Sequence, residues 1–143
     1  MEKDRIVIIV GAVVEDGKDN ILLVKKIPEG DECKDRKWTC PVRRLKVGEK
    51  IVDGIKRGIR EETNLNIELR TLIRPFERIV RSAHGIKLHN VYVNYLAQVV
   101  NGELILKYGI EEAIWVNKCS ISGIWNELDK DTRKLLTLSG LLG

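Results

Sequence analysis

The stretch WTCPVRRLKVGEKIVDGIKRGIREETNL, residues 38–65, decides the fold, and its second half has the pattern of one amphipathic helix. At about 100° per residue, four aliphatic side chains fall in a single stripe. They are Ile51, Val52, Ile55 and Ile59. Asn64 follows the pattern, and Asn tolerates the left-handed conformation that ends many helices. The spacing therefore predicts a helix over residues 51–63.

One acidic side chain interrupts the apolar stripe of this helix. Glu62 falls inside the stripe, where an unpaired carboxylate is costly to bury unless a cation or hydrogen-bond donors face it. Glu61 is adjacent on the flank, and two neighbouring carboxylates are a starting set for a hard cation such as Mg²⁺. The alternative is an ordinary amphipathic helix in which Arg57 and Glu61 form an i, i+4 ion pair. Gly54 and Gly58 lie on the same flank, where another backbone or a ligand could approach closely.

Apolar and β-branched runs predict strands on both sides of the helix. The predicted strands cover residues 6–14, 21–26, 67–80 with an interruption at Pro75, 88–100 and 113–116. The first two runs are separated by a turn signal and predict a hairpin. In the run over residues 88–100, one face carries Val91, Val93, Tyr95 and Ala97.

The remaining segments predict two loops and one further strand. Residues 27–37 and 42–49 are polar or basic and are expected to form loops. Asn101-Gly102 is a strong hairpin-turn signal, so residues 103–107 are expected to form a return strand.

The order of these elements predicts one α+β domain over residues 1–143. Residues 120–142 have helical character after the last strand, with Asp129 or Asp131 as the expected N-cap. Strands on both sides of one internal helix, followed by a terminal helix, favour a mixed sheet covered by helices. With 143 residues, of which 43% are hydrophobic, the chain has the material for one core.

Composition favours an anionic partner and disfavours a disulfide framework. The net charge of +4 suits nucleotides, although Lys and Arg are scattered among Asp and Glu as on an ordinary mixed surface. Cys33, Cys40 and Cys119 form no Cys-x-x-Cys pair, which indicates reduced thiols in a cytoplasmic protein. The apolar run over residues 6–14 is too short to cross a membrane.

Residues 38–65 also resemble the signature of a known family. The Nudix box has the pattern G-x5-E-x7-R-E-U-x-E-E-x-G-U, with U an aliphatic residue, and residues 43–65 are similar to it. The matching positions are Glu49, Arg57, Ile59, Glu61, Glu62 and Leu65. Residues 38–41 are similar to the W-x-x-P entry of the family, and residues 112–116 to the strand after its substrate loop. The resemblance to the Nudix hydrolase superfamily, with its MutT-like domains, implies an α/β/α sandwich with a mixed β-sheet.

Three residues depart from the family pattern. Arg43 replaces the first glycine of the box, and Asn64 replaces the last. Gly58 replaces the glutamate after the arginine, which in the family binds metal together with the second of the paired glutamates. One turn of the carboxylate cluster is therefore expected to be empty. Candidate replacement carboxylates are Glu49, Asp53 and Glu111.

The resemblance implies metal-dependent hydrolysis of a nucleoside diphosphate linked to another moiety, at a phosphoanhydride bond. Mg²⁺ or Mn²⁺ would neutralise the phosphates and position water. The implied metal ligands are Glu61, Glu62 and Glu49. The implied catalytic residues are Glu61, Glu62 and Arg57, the last of which would orient the carboxylates. The candidate substrate-binding residues are Arg43, Arg44 and Lys46.

Two functions stay open on the sequence alone. The intact Arg57, Glu61, Glu62 and Glu49 favour a Nudix pyrophosphohydrolase. Gly58 favours a catalytically silent Nudix-fold module that binds a nucleotide or a protein partner. In both cases we expect a nucleotide or another phosphorylated small molecule as ligand and no membrane, with nucleic acid disfavoured and a homodimer left open.

Overall fold

The computed structural model describes residues 5–27, 36–107 and 109–142. In chain order its strands are β1 Val7–Glu15, β2 Asn20–Lys26, β3 Val42–Arg44, β4 Asn66–Leu72, β5 Phe76–Ser82, β6 Gly85–Asn101 and β7 Ile110–Asn117. The helices are α1 Ile51–Thr63 and α2 Lys130–Ser139, with a kinked 3₁₀ segment, Lys118–Glu127, before α2. Most of the loop predicted over residues 27–37, including Cys33, lies outside the described residues.

The strands form a seven-stranded mixed sheet with the path β4-β6-β1-β2-β7, from which β3 pairs with β1 and β5 pairs with β6. β1 and β6 run parallel, from Val7 opposite Asn90 to Glu15 opposite Gln98. The other pairings are antiparallel, including the predicted hairpin of β1 and β2. Because β1 lies in the middle of the path, both of its faces must be covered, which explains its nearly continuous apolar sequence.

Helices cover both faces of the sheet, so the predicted α+β sandwich is confirmed. α1 packs on one face, in a core that includes Val10, Val14, Leu22, Ile55 and Ile59. α2 and the 3₁₀ segment pack on the other face, in a core that includes Val13, Leu23, Trp38, Leu128 and Leu136. Alternation along β1 and β2 sends successive side chains into the two cores.

Helix α1 begins and ends where the sequence predicts. Ile55 and Ile59 are each 2% exposed. Asn64 has a φ of 66°, and its N–H donates to the Arg60 carbonyl, so it is the predicted left-handed C-cap. The prediction is wrong for Val52, which is 39% exposed and lies outside the packed stripe. Within the described ranges, no helix is long and apolar enough to cross a membrane.

Residues 42–49 do not form the uninterrupted loop that the sequence predicts, because β3 occupies their first three positions. In its antiparallel pairing with β1, Arg43 lies opposite Val10 and Arg44 lies opposite Ile9. Pairing with β1 outweighs the basic composition that predicts a loop. Since side chains alternate along a strand, Arg43 points toward α1 and Arg44 toward the opposite face of the sheet.

Residues 103–107 form no strand, and the prediction of a hairpin return is wrong. The segment instead runs along the C-terminal end of α1. The N–H of Ile105 donates to the Thr63 carbonyl at 3.0 Å, and the N–H of Lys107 donates to the Glu62 carbonyl at 2.9 Å. The last carbonyls of a helix have no partner within it. The segment supplies those partners, which a local turn signal cannot predict.

Gly11→Ala tests how closely β1 and β3 pack beside the site. A Cβ on Gly11 would clash with the Pro41 carbonyl oxygen and lie 2.6 Å from Val42 Cγ1. We expect the variant to lose about 1–3 kcal/mol of unfolding free energy, measured by thermal or urea unfolding. Gly123→Ala is the matched control, since a Cβ there meets nothing within 4 Å. Equal stability of the two variants would contradict the close packing.

Candidate functional site

Glu62 is buried on the inner face of α1, with a side chain only 5% exposed. One carboxylate oxygen, Oε1, has no hydrogen-bond partner. The other, Oε2, lies 3.8 Å from Arg43 Nε and 4.0 Å from Lys26 Nζ. Burial raises the pKa of Glu62, against the opposing effect of these two cations. A buried, partly unsatisfied carboxylate is rare in a structural role and indicates a functional position.

Arg57 joins two of the predicted site carboxylates. Its Nε and Nη2 donate to the two oxygens of Glu49 at 2.5 and 3.0 Å, and its Nη1 donates to Glu61 Oε1 at 2.8 Å. The forked pairing with Glu49 uses the planar geometry of the guanidinium. The hydrogen bond from Arg57 lowers the pKa of Glu49 to about 2. Glu49 and Glu61 are therefore held as charged groups on either side of one arginine.

Arg43 crosses α1 at Gly58 and reaches both glutamates at the end of the helix. A Cβ on Gly58 would lie 2.8 Å from Arg43 Cδ and 3.4 Å from its Cγ. The Nη1 of Arg43 donates a hydrogen bond to Glu61 Oε1, while its Nε faces Glu62. This hydrogen bond lowers the pKa of Glu61. The arginine stem thus fills the space that the missing side chain at position 58 leaves.

Other predicted site residues lie apart from this cluster. Arg44 is exposed on the opposite face of β3, and Lys46 is exposed in the loop before α1. Only the backbone N–H of Lys46 contacts the cluster, at 3.3 Å from Glu49 Oε1. Of the candidate replacement carboxylates, Asp53 is exposed and Glu111 pairs with Arg36 at 2.7 Å. Neither one approaches Gly58.

Lys26 also lies at the site, although it is not among the three substrate-binding residues named from the sequence. Its Nζ donates to the Val42 carbonyl at 2.7 Å and lies 4.0 Å from Glu62 Oε2. The neighbouring Lys25 extends instead over the ring of Trp38, at 4.5 Å from its centroid. The signal was the pair of lysines at the end of β2, since alternation must send one of them to the α1 face.

A cavity of about 300 Å³ opens on the other face of the sheet, between β5, β6 and α2. Phe76 and Tyr92 stack there with their ring centroids 4.6 Å apart. The Tyr92 hydroxyl donates to Asp131 at 2.5 Å and accepts from the Asn90 amide at 3.1 Å. Burial, together with the Asp131 hydrogen bond, raises the pKa of Tyr92 to about 12. Asn94 also lines the cavity, and its buried Oδ1 has no hydrogen-bond partner.

This polar face of β6 is absent from the sequence prediction, which concerns the opposite face. The predicted packing of that opposite face is confirmed for Val93, Tyr95 and Ala97, which join the α1 core. The overlooked signal is a period-two series of hydrogen-bonding side chains in a long apolar strand. The series consists of Asn90, Tyr92 and Asn94.

Carboxylate oxygens dominate the potential metal ligands around Glu62. In the described ranges, no three His, Cys, Asp or Glu side chains converge in a metal-binding arrangement. The unpartnered Oε1 of Glu62 beside Glu61 nevertheless offers the oxygen ligands that Mg²⁺ and Mn²⁺ prefer. Water commonly completes such sites. The two glutamates therefore fit a metal bound through two carboxylates, provided that the Arg43 guanidinium turns away from them.

The fold and the site together define the class of protein. It is an α+β sandwich in which helix α1 places two adjacent glutamates beside basic residues of β2 and β3. The family model of the NUDIX domain matches residues 5–134, and the chain belongs to this family. A comparison with curated proteins gave no match.

Solved structures share the fold. A NUDIX hydrolase from Nitrosomonas europaea is 24% identical with a TM-score of 0.75, covering 93% of this chain and 87% of its own. A MutT NUDIX hydrolase from Burkholderia pseudomallei is 22% identical with a TM-score of 0.74, covering 94% and 98%. A bifunctional NMN adenylyltransferase/ADP ribose pyrophosphatase from Francisella tularensis, complexed with AMP and a Mn ion, is 22% identical with a TM-score of 0.71, covering 93% and 40%. At these identities the similarity shows the fold alone.

Glu62→Gln and Glu49→Gln are expected to change stability in opposite directions at neutral pH. Glu62→Gln raises the melting temperature, because it removes a charge that burial disfavours. The gain closes as pH falls through the raised pKa of Glu62, since the wild-type carboxyl then becomes neutral as well. Glu49→Gln lowers the melting temperature, because it removes a carboxylate that Arg57 stabilises. That loss is complete above pH 4.5 and disappears as pH falls toward 2.

The melting temperatures of the wild type and both variants are measured by thermal unfolding from neutral pH down toward pH 2. Each substitution removes one charge and changes the side-chain volume very little, so opposite shifts report the opposite environments of the two carboxylates. Shifts of one sign for both variants at neutral pH would contradict the opposite environments assigned to the two carboxylates.

Proposed function

We propose that this chain is a metal-dependent pyrophosphohydrolase that cleaves a nucleoside diphosphate linked to another moiety. The buried Glu62, with one oxygen unpartnered and Glu61 beside it, is the observation that carries this proposal. A folded protein keeps such a carboxylate at a cost in stability, so a ligand for it is the simplest reason for its presence. The free thiols of Cys40 and Cys119 support a reducing compartment, the cytoplasm.

In this proposal Glu61 and Glu62 hold Mg²⁺ or Mn²⁺, with Glu49 as a supporting carboxylate. When bound, the ion neutralises phosphate charge and positions or activates water. Arg57 keeps Glu49 and Glu61 charged and fixed in place. Lys26 projects beside Glu62 with a side chain 44% exposed, where it can contact substrate phosphates. The positive charge is therefore already in place where the substrate phosphates bind.

The cavity beside β6 is suited to the part of the substrate that is not phosphate. Val42 lines this cavity and is followed on β3 by Arg43, which contacts both α1 glutamates. The Phe76 and Tyr92 rings provide an apolar wall, and Asn94 offers a buried amide oxygen that lacks a donor. A nucleobase has a flat apolar face and N–H groups at its edge, and it satisfies both features.

Glu62→Gln should abolish turnover if this function is correct. Hydrolysis is followed by chromatography of the nucleoside monophosphate product, over nucleoside diphosphates and triphosphates, nucleoside diphosphate sugars and dinucleotides, each with Mg²⁺ and Mn²⁺. We expect the variant to lose roughly a hundredfold or more in rate, because a charged ligand becomes a neutral amide. Glu68→Gln is the matched control, since the Glu68 side chain is 63% exposed on β4 and away from the site. A rate that Glu62→Gln leaves unchanged would rule out the proposed site.

Asn94→Leu tests the cavity. The substitution keeps the number and branching of the side-chain heavy atoms and removes the unpaired oxygen, so no buried acceptor is left without a donor. Binding of AMP or ADP, measured by calorimetry, should weaken roughly tenfold because a hydrogen bond to the base is lost. Asn126→Leu makes the same chemical change at an exposed position outside the cavity. Unchanged affinity in the Asn94 variant would remove the cavity from the proposal.

The second candidate is a Nudix-fold module that binds a nucleotide or a partner and does not turn it over. The contact of Arg43 with Gly58 favours it, since a cation of the chain itself already faces both glutamates. This candidate is favoured over the hydrolase if the wild type binds nucleotide without hydrolysing any of these substrates, and if the Arg43→Gly, Gly58→Glu double variant gains activity.

A further inference from the structure

We infer that Arg43 is a built-in counter-ion of the helix α1 glutamates: its guanidinium takes the cation position at Glu61 and Glu62, and a divalent metal binds there only when Arg43 withdraws. The inference rests on the assignment of these glutamates to metal under the proposed function, and it adds that the chain itself competes for the site. It thereby gives one explanation for two departures from the family pattern.

Arg43 and Gly58 lie far apart in sequence but act on the same space. The Cδ of Arg43 would be 2.8 Å from a Cβ at position 58, which is closer than carbon atoms pack. Any larger side chain at position 58 would push the arginine stem away from α1. The absence of a side chain at position 58 therefore makes room for the Arg43 stem, which brings a cation to the place where a longer side chain would lie.

The charges at the site agree with this exchange. Arg43 Nη1 donates to Glu61, and Arg43 Nε lies 3.8 Å from Glu62 Oε2. A second positive charge placed at these oxygens would be repelled by the guanidinium, in a partly buried setting where solvent screens the repulsion poorly. Metal and guanidinium are therefore alternative partners of the same carboxylates.

Arg43 neutralises Glu62 only in part. A metal ion can therefore compete with Arg43 for this carboxylate and is not permanently excluded from it. The Oε1 of Glu62 has no hydrogen-bond partner even with Arg43 in place. The contact of Arg43 with Glu62 is also longer than a hydrogen bond, whereas Arg43 donates a hydrogen bond to Glu61. The guanidinium is thus bound to Glu61, and one oxygen of Glu62 remains available to another cation.

The test is a titration of the full chain with Mn²⁺ alone, followed by calorimetry or by electron paramagnetic resonance of the free ion. Arg43→Met keeps the stem over Gly58 and removes the charge, so we expect it to tighten Mn²⁺ binding roughly tenfold or more. Arg44→Met makes the same change on the same strand but on the opposite face, and it should leave the affinity at the wild-type value. The tightened binding should be lost when Glu62→Gln is added to Arg43→Met.

A second variant keeps the test decisive if Arg43→Met does not fold. Gly58→Ala retains the arginine and displaces its stem, so it too should tighten Mn²⁺ binding. The inference would be overturned if every one of these two variants that folds binds Mn²⁺ no more tightly than Arg44→Met. Tightened binding that survives the addition of Glu62→Gln would also overturn it, because the ion would then lie elsewhere.

The titration separates this inference from the proposed function, since no substrate is present. Tighter Mn²⁺ binding in Arg43→Met without hydrolysis of any substrate upholds the counter-ion and refutes the hydrolase. Hydrolysis by the wild type with unchanged Mn²⁺ affinity in Arg43→Met upholds the hydrolase and refutes the counter-ion.

Discussion

The burial of the Glu62 carboxylate is the constraint on which the arrangement of the site depends. Packing α1 on the sheet removes this charge from water, and the neighbouring elements contribute groups that face it. β2 places Lys26 at the rim, and β3 places Arg43 across the helix. The segment after β6 donates to the Glu62 backbone carbonyl and so fixes the end of the helix. A shift of any one of these elements would leave a buried carboxylate with less compensation.

The fold was predictable to the extent that local periodicity determined it. The apolar stripe and Asn64 gave helix α1 its bounds, and the β-branched runs gave β1, β2 and β6. Errors arose where a distant partner outweighed a local signal. Residues 103–107 follow a strong turn signal, yet they bond to the free carbonyls at the end of α1. β3 is short and basic, and only its pairing with β1 makes it a strand.

The contacts of the site that lie within helix α1 were predictable from the sequence, whereas the contacts between α1 and other segments were not. Helical spacing alone places Arg57 against Glu61 and sets Glu62 into the packed face. The pairing of Arg57 with Glu49 depends on how the preceding loop returns to the helix, which no periodicity encodes. The same holds for Arg43: the sequence contains the arginine and the glycine at position 58, but only the crossing of β3 over α1 brings them together.

The cations around Glu62 do not pair it completely, and this indicates why the chain has a carboxylate at this position. A glutamate kept only for structure would be expected to use both oxygens, because each unpaired buried oxygen destabilises the fold. Arg43 donates its hydrogen bond to Glu61, although Glu62 is the more deeply buried of the two glutamates. The arrangement therefore does not minimise the free energy of the folded chain alone. It leaves one buried oxygen of Glu62 without a partner, as expected where a carboxylate is kept for a ligand and not for the fold.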